Sequence, residues 1–417
     1  MQAIITIPPL DTLLGVDKAE ELLSRKVAGV PLLKRVILTA IRAGATDILF
    51  VRGNGLGPTL PLEFGQETSP SGFRLTVIQV SRFDPRESST WSALERYVED
   101  QFLWIPWNCV TTKQFLKDLP LQSVAEVDWV APARVSLQQI SEEPLSVLPN
   151  PDRIGVRVTS PDSIKRAERF LVAHSGKVLD GIHTSFNRRL CRPFVRLLSH
   201  TSITPNAVTF GGVVVSVLSA LAFAHGGYQY SVVGALLFYI AGLFDEMDGM
   251  LARIKFAESP RGTWLEGFAD GLSYLLLFGG ITIGLGHHYG GRATMMGILL
   301  LVGAILALAV TTLQRRRATT ADRPNEYLGR MYQLLDKDSG NLISRAARQL
   351  QAFIRRGILV HYVLIFTIIG ALPLLFVLAT VGAHLTWILT LYFNRRFFAQ
   401  PFRMGAKPLT NTIKETL

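Results

Sequence analysis

Apolar and polar positions follow two different rhythms on either side of about Ser175. Before it, strand-like stretches at Ala3–Ile7, Asp47–Val51, Leu75–Val80, Phe102–Ile105 and Gly155–Thr159 alternate with helical ones at Leu32–Ala43, Trp91–Asp100 and Pro161–His174. That succession predicts a cytosolic α/β layer domain around a largely parallel sheet. After Ser175 the apolar runs lengthen to Ala207–Phe223, Ser231–Phe244, Phe268–Leu285, Thr294–Leu313, Ile358–Val381 and His384–Phe393. Most approach the length that crosses a hydrocarbon core of roughly 30 Å. The expected organisation is an α/β region over residues 1–175, an interfacial juxtamembrane helix over 176–205, and an all-α six-helix transmembrane domain over 206–417.

Composition supports this division. The 417 residues are 48 % hydrophobic and only 18 % charged, with a mean hydropathy of +0.29, too apolar for an ordinary pair of soluble domains. The net charge of +11 is carried by loops and the first region, which by itself suits either a nucleic-acid patch or an anionic membrane surface. No nucleic acid is expected as a partner. Cys109 and Cys191 stand alone and far apart, which excludes a disulfide scaffold and a thiolate metal site built from one chain. Met1–Leu10 has no basic stretch followed by an apolar run, so no signal peptide is expected.

Lys and Arg mark the cytosolic loops of membrane proteins. The links after the second, fourth and sixth apolar runs hold Arg253, Lys255 and Arg261, then the series from Arg315 to Arg356, then Arg395 to Lys414. The links around Gly226–Tyr230, Gly286–Gly291 and Gly382–Ala383 offer Arg292 alone. Both termini are therefore expected in the cytosol, in a multi-pass protein of the cytoplasmic membrane. Leu179–His200 mixes arginines with Leu190, Phe194, Leu197 and Leu198, which suits a helix lying in the membrane interface, with Pro193 as a bending point.

Carboxylates at the edge of a membrane helix are costly to desolvate and need compensation. Asp245 and Asp248 lie three residues apart on the second apolar run, and Glu266 and Asp270 four apart on the third, so each pair shares a helix face. Four oxygen donors converging at one depth make a site for a hard cation, Mg²⁺, Mn²⁺ or Ca²⁺, rather than a thiolate site. Gly249, Ala252 and Gly262 would let a ligand approach the helix backbones, and Arg253 adds a fixed cation suited to a diphosphate.

Written out, Asp245-Glu-Met-Asp248-Gly249-Met-Leu-Ala252-Arg253, then Gly262-Thr-Trp-Leu-Glu266-Gly-Phe-Ala-Asp270, resembles the CDP-alcohol phosphotransferase signature DxxDGxxAR…GxxxDxxxD. Thr204-Pro205-Asn206-Ala-Val-Thr209 resembles the family's segment at the start of the first span. One position departs: the third acid of the pattern is Asp, and here it is Glu266, one methylene longer. The resemblance implies a membrane-embedded, metal-dependent transferase joining a CDP-linked alcohol to an acceptor hydroxyl and releasing CMP. Its products would be phospholipids or inositol phosphodiesters, and a homodimer is implied. Asp245, Asp248, Glu266 and Asp270 would hold Mg²⁺ or Mn²⁺, with Asp270 as general base. Asp245, Gly249, Ala252, Arg253, Gly262, Pro205, Asn206 and Thr209 would hold the cytidine diphosphate.

The first region has a second resemblance. Val27-Ala-Gly29-Val-Pro31-Leu-Leu-Lys34-Arg35-Val, followed by Ala43-Gly44-Ala-Thr-Asp47-Ile-Leu-Phe-Val51, resembles a stretch of sugar-phosphate nucleotidyltransferases, whose sheet is Rossmann-like. Their GxGxR phosphate loop after the first strand is replaced by Pro8-Pro9-Leu-Asp11-Thr-Leu-Leu-Gly15, and Asn108 stands where a metal-binding Asp is expected. The resemblance therefore implies a degenerate nucleotidyltransferase-like domain. The two regions in tandem look like the fused inositol-1-phosphate cytidylyltransferases and di-myo-inositol-phosphate phosphate synthases. Two other classes stay open: a cation-coupled transporter, since intramembrane carboxylates mark ion paths, and a catalytically weakened scaffold. Arg315 and Arg316 are read either as a topology anchor or as a pocket for an acceptor's phosphate. His287-His288 is read as a polar turn in an external loop.

Overall fold

The computed structural model describes residues 1–7, 24–53, 73–80, 91–92, 94–120, 132–136, 155–176, 182–318, 331, 333–335, 338, 340–345 and 356–397. Two compact units are distinguished. One comprises Met1–Asp180, Arg189–Pro205 and Gly249–Ala257; the other comprises Gly181–Arg188, Asn206–Asp248 and Glu258–Leu417.

The first unit is built on a five-stranded sheet of β1 (Gln2–Ile7), β2 (Asp47–Gly53), β3 (Arg74–Val80), β4 (Gln101–Pro106) and β5 (Ala133–Ser136), in the order β3-β2-β1-β4-β5. Three of the four pairings are parallel and β4–β5 is antiparallel, so the sheet is mixed. Helix α1 (Leu32–Ala43) forms the crossover from β1 to β2 and occupies the span its periodicity predicts. Gly44, at φ 108°, ends it in the left-handed region that glycine adopts freely. Helix α2 (Lys113–Asp118) is capped by the Thr112 side chain, and α3 (Pro161–Ala173) by a box between Ser160 and Ser163.

Two expected elements differ. Trp91–Asp100 is not one helix: a 3-10 turn over Glu95–Tyr97 gives way to extended Val98. Trp91 and Leu94 are buried in the core with Phe102 and Trp104, and Trp91 stacks on Phe102 at 5.4 Å, so aromatic packing overrides helix propensity there. In Gly155–Thr159 only Val156–Arg157 pairs, with Cys109–Val110. Burial pushes the Cys109 thiol up to about 12, which leaves it protonated and unreactive at neutral pH.

Beyond the first region run α4 (Ile182–Ser199), α5 (Pro205–His225), α6 (Tyr228–Lys255), α7 (Pro260–Tyr289), α8 (Gly291–Ala318), α9 (Arg356–Ile368) and α10 (Leu372–Phe397). Pro193 lies inside α4, whose Phe186, Leu190, Phe194 and Leu197 are all exposed. Five described helices, α5, α6, α7, α8 and α10, are long and apolar enough to cross a membrane. The sixth apolar helix, α9, has only Ile358–Ile368 as its apolar stretch.

The expected link at Gly382–Ala383 is helical instead, and the turn falls at Ile369–Ala371. There the Gly370 N–H bonds the Thr367 carbonyl and the Ala371 N–H bonds that of Phe366, with Gly370 at φ 73°, a Schellman ending. Pro373 then sits in the first turn of α10, where a missing N–H costs nothing. Glycine chemistry outweighs hydropathy in placing the break. His287 and His288 also move: they are exposed in the last turn of α7 rather than in a loop, suited to that helix's negative end.

Within the helical unit small residues set the spacing. Gly280 and Gly284 on α7 approach Ala220 and Phe223 on α5 so closely that a Cβ at Gly284 would lie 2.1 Å from the Phe223 carbonyl oxygen. Ser216 bonds Ser273 at 3.0 Å across the same pair. Without water to drive association, such close backbone approach holds membrane helices together. Gly284→Ala is therefore expected to lower the unfolding temperature of the detergent-solubilised protein, by an overpacking cost of about 1–3 kcal/mol. Gly279→Ala, whose Cβ meets nothing within 4 Å, should leave that temperature unchanged.

Candidate active site

Helical periodicity assembles the acidic motif. On α6, Asp245, Asp248, Gly249, Ala252 and Arg253 stand at intervals of three, four, seven and eight residues from the first, which is one face of a helix. On α7, Gly262, Glu266, Asp270 and Tyr274 repeat every four residues along one face. Ser259 starts α7 cleanly: its backbone is extended and its hydroxyl accepts the Gly262 N–H at 3.0 Å.

Asp245, Asp248 and Glu266 each offer a carboxylate oxygen, and these oxygens all lie within 4.8 Å of one another. Asp248 is buried, while Asp245 and Glu266 are half-buried. Three carboxylates so placed repel strongly in a partly dehydrated site, and a shared hard cation relieves that repulsion. The separation matches the roughly 4–5 Å across the oxygen shell of a divalent ion. The donor set is all oxygen, so it fits Mg²⁺ or Mn²⁺ and not a thiolate-seeking metal. Glu266, the departure from the family pattern, still brings its carboxylate to the group. Asp270 lies one turn farther along the same face of α7 and is not a member of this three-residue group among the described residues.

The entry segment of α5 is part of the same surroundings. The Thr209 hydroxyl donates to the Asp248 carboxylate at 2.5 Å, a contact that orients an acid of the cluster. Pro205 is the first residue of α5. The Asn206 side-chain oxygen lies 3.8 Å from where a Cβ on Gly262 would stand, so the starts of α5 and α7 are neighbours at ordinary contact distance. On α6, the Arg253 guanidinium lies 3.3 Å from where a Cβ on Gly249 would stand, folded back along the helix, and its Nε donates to the Ser175 carbonyl. Ala252, half-buried, keeps that face flat.

Three partners of the motif were not visible as such in the sequence. Tyr274, one turn past Asp270, lies close enough to Asp245 to interact electrostatically with it. Its place in the four-residue repeat of α7 was the available signal. Trp264 receives two arginines over its ring: Arg315 at 5.6 Å and Arg316 at 5.9 Å, both from α8. Arg315 also reaches Gly267, whose Cβ would lie 3.1 Å from its guanidinium. A tryptophan at a helix start near arginines is the mark that could have been read. Arg188, expected only as part of a basic interfacial helix, bonds Glu246 at 3.0 Å in a largely buried pair.

In the first unit, Asn108 follows β4 as expected, but it is buried and donates to the Val158 carbonyl at 3.2 Å, while the Val158 N–H bonds the Asn108 carbonyl. Its amide serves the fold. Pro8–Gly15, where the phosphate loop would be sought, lies outside the described residues, as does Val178–Gly181.

Comparison with known proteins agrees with this arrangement. Residues 202–392 match the CDP-alcohol phosphatidyltransferase family. A bifunctional IPC transferase and DIPP synthase from Thermococcus kodakarensis is 27 % identical over 237 residues, 54 % of this chain and 52 % of the relative. The protein of the same description from Rubrobacter xylanophilus is 27 % identical over 173 residues, 41 % of this chain and 38 % of its own. The phosphatidylinositol phosphate synthase of Mycobacterium marinum is 33 % identical over 93 residues, 22 % of this chain and 39 % of the relative. The chain thus spans about half the length of the first of these relatives and less of the others. With the three acids of its signature brought together and its apolar helices in place, the part of the chain over residues 202–392 matches the CDP-alcohol phosphatidyltransferase family and follows an N-terminal α/β region.

Proposed function

We propose that the protein is a multi-pass membrane phosphotransferase that moves a substituted phosphate from a CDP-linked alcohol to an acceptor hydroxyl and releases CMP. The observation that carries this reading is the three-carboxylate group of Asp245, Asp248 and Glu266 on the motif-bearing faces of α6 and α7. Asp245, Asp248 and Glu266 would hold Mg²⁺ or Mn²⁺, with Asp270 adjoining them. A bound divalent ion would neutralise charge on the diphosphate oxygens. Gly249, Ala252 and Gly262 leave room for the diphosphate, Arg253 offers it a cation, and Asn206 at the start of α5 is a polar contact for the cytidine. Thr209 holds Asp248 in orientation.

Asp270 is the base in this reading. It takes the proton of the acceptor hydroxyl as that oxygen bonds to the distal phosphorus, and the bond from that phosphorus to the bridging oxygen breaks, so that CMP leaves. Arg315 and Arg316, braced on Trp264, supply charge for an acceptor that itself carries a phosphate. The donor is either CDP-diacylglycerol, giving a phospholipid, or a polar CDP-alcohol such as CDP-inositol, giving an inositol phosphodiester. The described relatives span both kinds of product by name.

The chain crosses the membrane six times in this reading, with α9 contributing to one passage and both termini cytosolic. Support comes from the turns: Gly226, Gly227, Gly290 and Gly370, all at positive φ, punctuate the links poor in basic residues. The Tyr228 hydroxyl bonds the Ile368 carbonyl at 2.7 Å, which puts the turn before α6 and the turn after α9 at the same end.

In reconstituted protein, Asp248→Asn is expected to abolish Mg²⁺-dependent CMP release and weaken Mn²⁺ binding followed by electron paramagnetic resonance. Unchanged release and binding would remove the proposal. Arg315→Ala should raise the KM for a phosphorylated acceptor by about tenfold with the donor KM unaltered, as expected for loss of one charged contact. Incubation of the full chain with CTP and inositol phosphate should yield no pyrophosphate, since Asn108 is committed to Val158; measurable turnover would show that the first region has kept its nucleotidyl chemistry.

A further inference from the structure

The last turn of α6 is held far more firmly than a helix end requires. Its terminal residue before the turn is Phe256, at φ 58°, a left-handed conformation in which a side chain is strained and glycine is the usual occupant. The Ala257 N–H bonds back to the Ala252 carbonyl at 2.9 Å, so Phe256 occupies the position that glycine takes in a Schellman ending. Something must repay a phenylalanine there, and the surroundings identify it. The Arg35 guanidinium of α1 lies 5.2 Å from the Phe256 ring and donates to the Ile254 carbonyl at 3.0 Å. Arg42, two turns farther along α1, donates to the Phe256 carbonyl at 3.3 Å.

Arg35 is 1 % exposed and is itself fixed, since it also donates to the Val27 carbonyl at 2.8 and 3.1 Å and to that of Ala28 at 3.3 Å. Burial pushes its guanidinium down to about 9, opposed by nearby Glu168, so it stays charged at neutral pH. It therefore presents a cation to the carbonyl end of α6, where the helix dipole is negative. Arg35 belongs to the stretch that resembles nucleotidyltransferases, yet every contact just named is to protein, none to solvent.

We propose that Arg35 is a positioning residue for the donor diphosphate: it locks Ile254 and Phe256 and so fixes Arg253, the residue immediately before them, in the orientation that receives the donor. The inference rests on the phosphotransferase reading of Arg253. It assigns the degenerate α/β region a task in the transfer reaction that needs no nucleotide chemistry of its own. Because the effect passes through donor binding, it separates donor from acceptor in a way that a general loss of stability does not.

The test uses the full chain in lipid, with CMP release followed at varied CDP-diacylglycerol or CDP-inositol, whichever the unaltered protein turns over. Arg35→Met is expected to raise the donor KM by about tenfold, with kcat and the acceptor KM within about twofold, the pattern of lost donor binding. Arg35→Lys, which keeps the charge but not the fork that reaches two carbonyls, should restore part of the loss. Arg42→Met removes the second lock, on the Phe256 carbonyl, and so gives the same donor-selective change even where Arg35→Met does not fold. Release by the unaltered protein with the donor KM unchanged in the folded variants, or with donor and acceptor KM rising together, would overturn the inference alone. No release by the unaltered protein with either donor would overturn the phosphotransferase reading and the inference with it.

Discussion

Three carboxylates within 4.8 Å of one another, at the margin of an apolar helix bundle, form an arrangement that no single helix can hold and that the charges themselves oppose. The helices around them are organised to resist that opposition. Asp245 and Asp248 are fixed by sharing a face of α6, and Glu266 by a start of α7 that Ser259 caps firmly. Thr209 restrains Asp248 from α5. Farther along, glycines at 280 and 284 let α7 lie against α5 at backbone distance, so the pair cannot drift apart to relieve the repulsion without losing that contact. Rigid packing and electrostatic repulsion are thus two sides of one arrangement.

Much of this was legible in the chain. The period of the motif acids, three and four residues, places them on helix faces with no structure in hand, and the structure brings three of the four together. Helix α1 falls on its predicted residues because an amphipathic repeat, a preceding Pro31 and a following Gly44 all agree. What stayed hidden depends on distant contacts. The segment after Trp91 carries helix-favouring residues, yet it is shaped by aromatic rings on β4. The apolar runs alone place the break between α9 and α10 at Gly382–Ala383. It lies instead at Gly370, because a Schellman ending followed by a proline is a local signal stronger than a hydropathy average.

Glu266 shows how far a departure from a family pattern can be judged from sequence. One added methylene lengthens the reach of the carboxylate by little more than an ångström in principle. Whether that matters depends on the separation of two helix backbones, which no sequence states. In the structure the longer side chain still delivers its oxygen to the group, so the charge count of the site is preserved. Trp264 and its two arginines illustrate the opposite case: the residues are conspicuous, but that two cations would share one ring follows only from how α7 and α8 pack.

The α/β region gains a physical logic from the same contacts. A nucleotidyltransferase needs polar groups at the carboxyl end of its sheet left available for a ligand. Here Asn108, just past β4, is tied to Val158 through side chain and backbone, and Arg35, on the crossover helix, is surrounded by carbonyl oxygens. Each group has a protein partner, and a buried hydrogen bond once made is costly to break. Freeing either group for a ligand would leave a buried carbonyl unsatisfied. What these contacts supply, on the reading proposed above, is a fixed end for the helix that carries Arg253.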